Sequence, residues 1–82
     1  MRYFLATYYR KPDGKVDEQI QLAATINDTD IQTCSVILDF ENKKIQKAVI
    51  QSQTIDTNWT RIVNYYHAIY PDIIEQLKTD NP

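Results

Sequence analysis

The spacing of the apolar residues changes once along this chain, near residue 55, and that change limits the fold more than any other feature. Before it, apolar residues recur at every second position, which is the period of a strand. After it, Trp59, Ile62, Val63, Tyr66, Ile69 and Tyr70 recur at intervals of three and four, which places them on one stripe of a helix. Strands followed by helices predict an α+β fold, with the helices laid on one face of a sheet. At 82 residues the chain makes one domain, 1–82, with a limited core.

Residues 2–10 favour the extended form, because Tyr, Phe and Thr fit a pleated surface. "KPDGK" then carries three turn signals: Pro12 presets φ, Asp13 bonds back to the backbone, and Gly14 accepts positive φ. A three-residue loop with Gly14 in the left-handed region follows. With Lys11 opposite Lys15, Tyr8 faces Glu18, Ala6 faces Ile20 and Phe4 faces Leu22. The core side is then Phe4, Ala6, Tyr8, Ile20, Leu22, Ala24 and Ile26.

"DTDIQ" reads as a polar connection, and residues 33–40 as a third strand with Cys34, Val36, Leu38 and Phe40 on one side. A two-residue turn at Asn42-Lys43 returns the chain as a fourth strand, 44–50. Phe40 then faces Ile45, Leu38 faces Lys47 and Val36 faces Val49. Lys47 falls on the core side with its stem over apolar surface. Asp56 or Thr57 caps the long helix, and Pro71 breaks it near Tyr70. Pro71 also suits the start of a short second helix carrying Ile73, Ile74 and Leu77, and "TDNP" frays. Short turns between successive strands predict a four-stranded antiparallel meander.

The first strand is apolar on both sides. The helices are expected to cover Phe4, Leu22, Leu38 and Val49, while Tyr3, Leu5, Thr7, Tyr9, Ala23, Ile37, Ala48 and Ile50 share the reverse face. Three readings of that face stand open: a half-wet surface, a surface covered by the short helix, or an association surface. In the last, Tyr3, Leu5, Tyr9 and Ile37 are the anchors, since tyrosine offers large area, few torsions and a polar tip. A free edge on the first strand would add strand pairing. On this reading Leu5→Asp or Tyr9→Asp abolishes association and leaves the fold intact.

In a meander, Arg10, Lys11 and Lys15 at the first turn gather with Lys43, Lys44 and Lys47 at the third. That basic end, with Tyr8 and Tyr9 beside it, is the alternative candidate, a weak nucleic-acid site built on Arg10, Lys11, Lys15, Lys43 and Lys44. A net charge of −2 argues against a general duplex binder. The single glycine excludes Gly-rich phosphate loops. Cys34 and His67 are each solitary, and read as a core cysteine and a surface histidine rather than a catalytic pair. Asp28 and Asp30 lack the glycine and glutamate of a calcium loop, so no metal or cofactor is expected. The lone cysteine fits a reducing compartment, and no signal peptide or run of ~20 apolar residues is read, so the expected location is cytoplasmic.

"MRYFLATYYRKPDGKVDEQ", "TCSVILDF" with its lysine-rich turn, and "NWTRIVNYYHAIYP" together resemble small uncharacterised proteins of T4-like phages of cyanobacteria. The resemblance implies a protein made in an infected bacterial cell, where it acts on a host or phage protein. It supplies no catalytic or ligand residues. The expected function is therefore a non-enzymatic binding or adaptor protein, possible as a homodimer.

Overall fold

The computed structural model describes residues 2–50, 53–54 and 58–79. Two strands, β1 (Tyr3–Arg10) and β2 (Val16–Ala23), form the expected hairpin in the expected register, with Phe4 opposite Leu22 and Tyr8 opposite Glu18. Gly14 closes the loop at φ +88°, donating to the Lys11 carbonyl at 2.9 Å.

The next strand does not continue a meander. Residues 28–33 form a short helix, α1 (Asp28–Thr33), in what reads as a polar connection. Its start is a reciprocal cap, in which Asn27 Oδ1 accepts from Asp30 N and Asp30 Oδ2 accepts from Asn27 N. The chain carrying α1 crosses over β1 and delivers β3 (Val36–Asp39) to its far side. β4 (Lys44–Ile50) pairs with β3, and the two-residue β5 (Gln53–Thr54) pairs with the end of β4. The order is β2-β1-β3-β4-β5, and every pairing is antiparallel. β1 and β3 meet over four residue pairs, Tyr3–Ala6 against Val36–Asp39. Thus β1 is interior over that stretch and offers no free edge there.

The β3–β4 turn is longer than expected. Asp39 pairs with Lys44 and Leu38 with Ile45, so residues 40–43 form the loop, with Lys43 at φ 53°. Asp39 organises it, with Oδ1 accepting from Glu41 N and Asn42 N and Oδ2 accepting from Asn42 Nδ2 at 2.8 Å. Burial raises the Asp39 pKa, but these hydrogen bonds, with one from Gln46, outweigh it and hold the carboxyl below its ordinary range. A register shift at Ile37/Leu38 then puts Ala48, rather than Val49, opposite Val36 and into the main core. Lys47 pairs with Ile37 and turns to the reverse side, where its Nζ donates to the Ile31 carbonyl in the last turn of α1.

Helices α2 (Trp59–Ile69) and α3 (Pro71–Thr79) both cover one face, with Tyr70 closing α2 at the expected break. The cap of α2 is Asn58, whose Oδ1 accepts from Arg61 N; Asp56 and Thr57, the expected caps, lie outside the described residues, as do 80–82 and the side chain of Ile50. Phe4, Ala6, Val36, Leu38 and Ala48 from the sheet, with Phe40 from the β3–β4 turn, meet Ile62, Val63, Tyr66, Ile74 and Leu77 in the main core. Ile69, placed in the helix stripe by spacing, is exposed instead, because α2 ends there. The fold class is α+β as read, with both C-terminal helices on one face.

The reverse face is covered by the crossover. Leu5, Cys34 and Ile37 are buried there, with Tyr3, Ala23 and Ile26 packed against them. Cys34 and Ile26 therefore belong to this second cluster and not to the main core, and Ala24 is exposed.

Candidate functional site: the open edge of β2

With β1 interior, the outer strand on this side is β2. Among the described residues no strand pairs with its outer side. The hydrogen bond from Lys11 N to Lys15 O fixes which backbone groups face which way. In an antiparallel ladder bonded groups recur every second residue. Asp17, Gln19, Gln21 and Ala23 therefore turn their N–H and C=O toward β1, and Val16, Glu18, Ile20 and Leu22 turn theirs outward. Glu18 N donates to Asp17 Oδ1 at 2.9 Å, which agrees with its being turned away from β1 and closes that part of the edge. The stretch left for pairing is centred on Ile20, Gln21 and Leu22.

Its side chains leave the stretch unguarded. Strand edges are commonly blunted by lysine, proline or a bulge. Gln19 through Thr25 contains no charged residue and no proline. Ile20 and Leu22 are half-buried at the rim of the main core, and Gln19 and Gln21 are exposed on the other side.

The strand is also held rigidly. Glu18 Oε1 accepts a hydrogen bond from Tyr70 Oη, which ties β2 to the junction of α2 and α3. Tyr8, opposite Glu18, shares a 2.8 Å hydroxyl contact with Tyr66. Burial, then hydrogen bonds with Glu18 and Tyr66, drive the Tyr8 hydroxyl far above the ordinary phenol range. Tyr66 is pushed up to about 12, chiefly by burial, against a lowering by its bond with Tyr8. Tyr70 is pushed up to about 12 by its hydrogen bond to Glu18 first and by burial second. A strand with so little freedom loses little conformational entropy when a partner strand docks.

The anchors expected on the reverse face are not brought together at a surface. Leu5 and Ile37 are 1% and 0% exposed, and face each other as Cα partners beneath the crossover. Tyr3 is half-buried beside them. Tyr9 is 47% exposed near the far end of the strand, donating to Asp17 Oδ2 at 2.9 Å. The reason is the crossover, which lays residues 24–35 over a face that a meander would leave bare.

The expected basic end is divided for the same reason. In this topology β3 runs against β1, so the β3–β4 turn lies beside Tyr3 and the β1–β2 turn beside Arg10. Arg10, Lys11 and Lys15 are thus at one end of the sheet, and Lys43 and Lys44 at the other. Lys11 lies 3.7 Å from Asp17, and an Arg10 Nη donates to the Gly14 carbonyl at 3.1 Å. Cys34 is buried in the reverse cluster, while His67 Nε2 contacts Glu75 Oε1 at 2.7 Å across α2 and α3.

The β2 edge was missed because it depends on strand order. Its only local signal is the uncharged run from Gln19 to Thr25. No protein-family model matches this chain, and neither a curated protein nor a solved structure is significantly similar to it. Among the described residues no helix is long and apolar enough to cross a membrane.

Proposed function

We propose that this chain is a small non-enzymatic binding protein that associates by strand addition at β2, with the β2 edge of a second copy as its partner. The observation that carries the reading is the outward set of backbone groups at Ile20 and Leu22, flanked by uncharged side chains on a rigid strand. A symmetric antiparallel pairing suits this edge. With the two-fold axis at Gln21, Ile20 faces the partner's Leu22, Gln19 faces the partner's Ala23, and Glu18 faces the partner's Ala24. No carboxylate opposes another. The same edge accepts an extended segment of a host protein, the partner implied by the resemblance to phage proteins, in which case the protein acts in the host cytoplasm.

Sedimentation equilibrium over a range of concentrations tests this. A dimer is expected for the native chain, and a monomer with unchanged circular dichroism for the double variant Gln19→Lys, Gln21→Lys. Both positions are exposed, so the variant keeps its core. Added salt leaves the dimer nearly unchanged, whereas phosphate contacts would weaken log-linearly. A native chain that stays monomeric while the Ile20 and Leu22 amides exchange freely with solvent sinks the proposal.

A further inference from the structure

The outer edge of β2 is closed at Glu18 by the side chain of its neighbour. Asp17 turns its own backbone toward β1, yet its carboxylate reaches round to the edge, where Oδ1 accepts from Glu18 N at 2.9 Å. That oxygen takes the place a partner strand's carbonyl would occupy in a ladder. The carboxylate is itself held in position. Its Oδ2 accepts from Tyr9 Oη at 2.9 Å, and the Lys11 ammonium lies 3.7 Å from the same oxygen. The bond from Tyr9 first, and that from Glu18 N second, hold the Asp17 carboxyl below its ordinary range, so it stays an acceptor near neutral pH.

This contact bears on which pairing two β2 edges can make. The outward backbone groups belong to Val16, Glu18, Ile20 and Leu22, and the midpoint of that run is Gln19. Closing Glu18 leaves Ile20 and Leu22 as the clear run, with its midpoint at Gln21. Two-fold axes at Gln19 and at Gln21 correspond to registers four residues apart. An even shift keeps every side chain on its own face, so burial does not choose between them. Neither register sets one carboxylate against another, since the axis at Gln19 opposes Glu18 to Ile20 and Asp17 to Gln21. The choice falls to the edge itself.

We infer that Asp17 is the register stop of the β2 edge: it excludes the partner strand from Glu18 and sets the two-fold axis at Gln21 rather than Gln19. This rests on the strand-addition reading above, with a second copy as partner, and adds the residue that selects its geometry.

Disulfide trapping tests it. Gln21 turns its backbone groups toward β1, so across an axis at Gln21 the two copies of this residue meet as a non-hydrogen-bonded pair. Their Cα atoms are then about 4.5 Å apart, within disulfide reach, while the two Gln19 Cα atoms are about 13 Å apart. Both side chains are exposed, and the native Cys34 is buried. Gln21→Cys and Gln19→Cys are introduced singly into the full chain, oxidised mildly under native conditions, and the linked peptides mapped by mass spectrometry. Cross-linking is expected at position 21 and not at 19. In an Asp17→Ala background with unchanged circular dichroism, it is expected to move from 21 to 19. Asp17→Asn keeps an oxygen for Glu18 N and is expected to cross-link as the native chain does. Cross-linking that stays at 21 in the Asp17→Ala background overturns the inference and leaves strand addition standing. So does cross-linking at 19 in the native background, or a move to 19 with Asp17→Asn. No cross-link at either position in any background removes the β2 dimer and the register stop together.

Discussion

The two sides of the sheet are covered in different ways. On one side α2 and α3 bring Ile62, Val63, Tyr66, Ile74 and Leu77 down onto five sheet residues and Phe40 of the β3–β4 turn, and a chain of tyrosine hydroxyls and Glu18 locks the helices to β2. On the other, a short crossover with a six-residue helix, none of whose residues is buried, covers Leu5 and Ile37 and buries its own Cys34 against them. The first layer is thick and cross-linked, and the second is thin. The difference shows that a face can be closed to partners without being strongly held. Cover removes Leu5 and Ile37 from the surface, yet few contacts hold that cover down.

The largest effect is expected from Leu5→Asp. It places a carboxylate under the crossover with no partner, at a cost of about 4 kcal/mol or more, most of what a domain of this size holds. Loss of the cooperative urea transition is the expected readout. A folded, monomeric Leu5→Asp protein would restore the reverse face as a surface and break the comparison.

Truncations measure the two layers against each other. Phe4→Ala removes a ring packed 4.7 Å from Tyr66 and is expected to cost about 4 kcal/mol. Leu5→Ala is expected to cost about 3 kcal/mol, because the thin layer can settle into part of the space. Urea midpoints give both values, and the reverse order would show the crossover to be the stiffer side.

Alkali acts chiefly on the helix side, since on the reverse face only Tyr9, raised by its hydrogen bond to Asp17, joins it. Tyr66 and Tyr70 hold their protons to about pH 12 in the folded chain, while the unfolded chain releases them near 10. Above pH 10 the unfolded state therefore binds fewer protons, and stability falls as pH rises from 10 to 12. Tyr70→Phe is expected to flatten that fall in urea midpoints measured across the window. An unchanged slope would remove the hydroxyl chain from the account.

The smallest effect is at α1. Asn27→Ala deletes the side-chain half of the reciprocal cap, leaving the backbone N of residue 27 to donate to Asp30, and is expected to cost about 1 kcal/mol. Buried Cys34 caps the other end of that helix, so thiol labelling under native conditions should accelerate about fivefold, with little change at the amides of α2. Uniform acceleration across the chain would mean that both layers open together.

Much of the fold was legible in local chemistry. Pro12, Asp13 and Gly14 specified a loop, the loop specified a register, and the β1–β2 pairs follow it from Tyr3 to Arg10. Pro71 marked the helix break, and all three residues named for the short helix face the core. Strand order was not legible, because alternation reports which face a side chain takes and says nothing about which strand lies beside it. The crossover helix was hidden because its six residues are polar, too few for a helical period to show. The irregular β3–β4 pairing was hidden because Asp39, three residues before Asn42, sets the turn from outside the Asn-Lys pair. The candidate site inherits these gaps. Whether a surface is an edge, a face or a covered core is a property of neighbours, and the neighbours of β1 came from distant parts of the chain.

The short ladder between Tyr3–Ala6 and Val36–Asp39 has a kinetic consequence. It is the seam where two locally formed ribbons, residues 3–23 and 36–54, are sewn together. Each ribbon closes a small loop and forms early, while the seam must wait for a chain reversal of thirty residues or more. We expect mutations there to slow refolding while those in the outer ribbons mainly hasten unfolding, a division that stopped-flow chevrons would read directly.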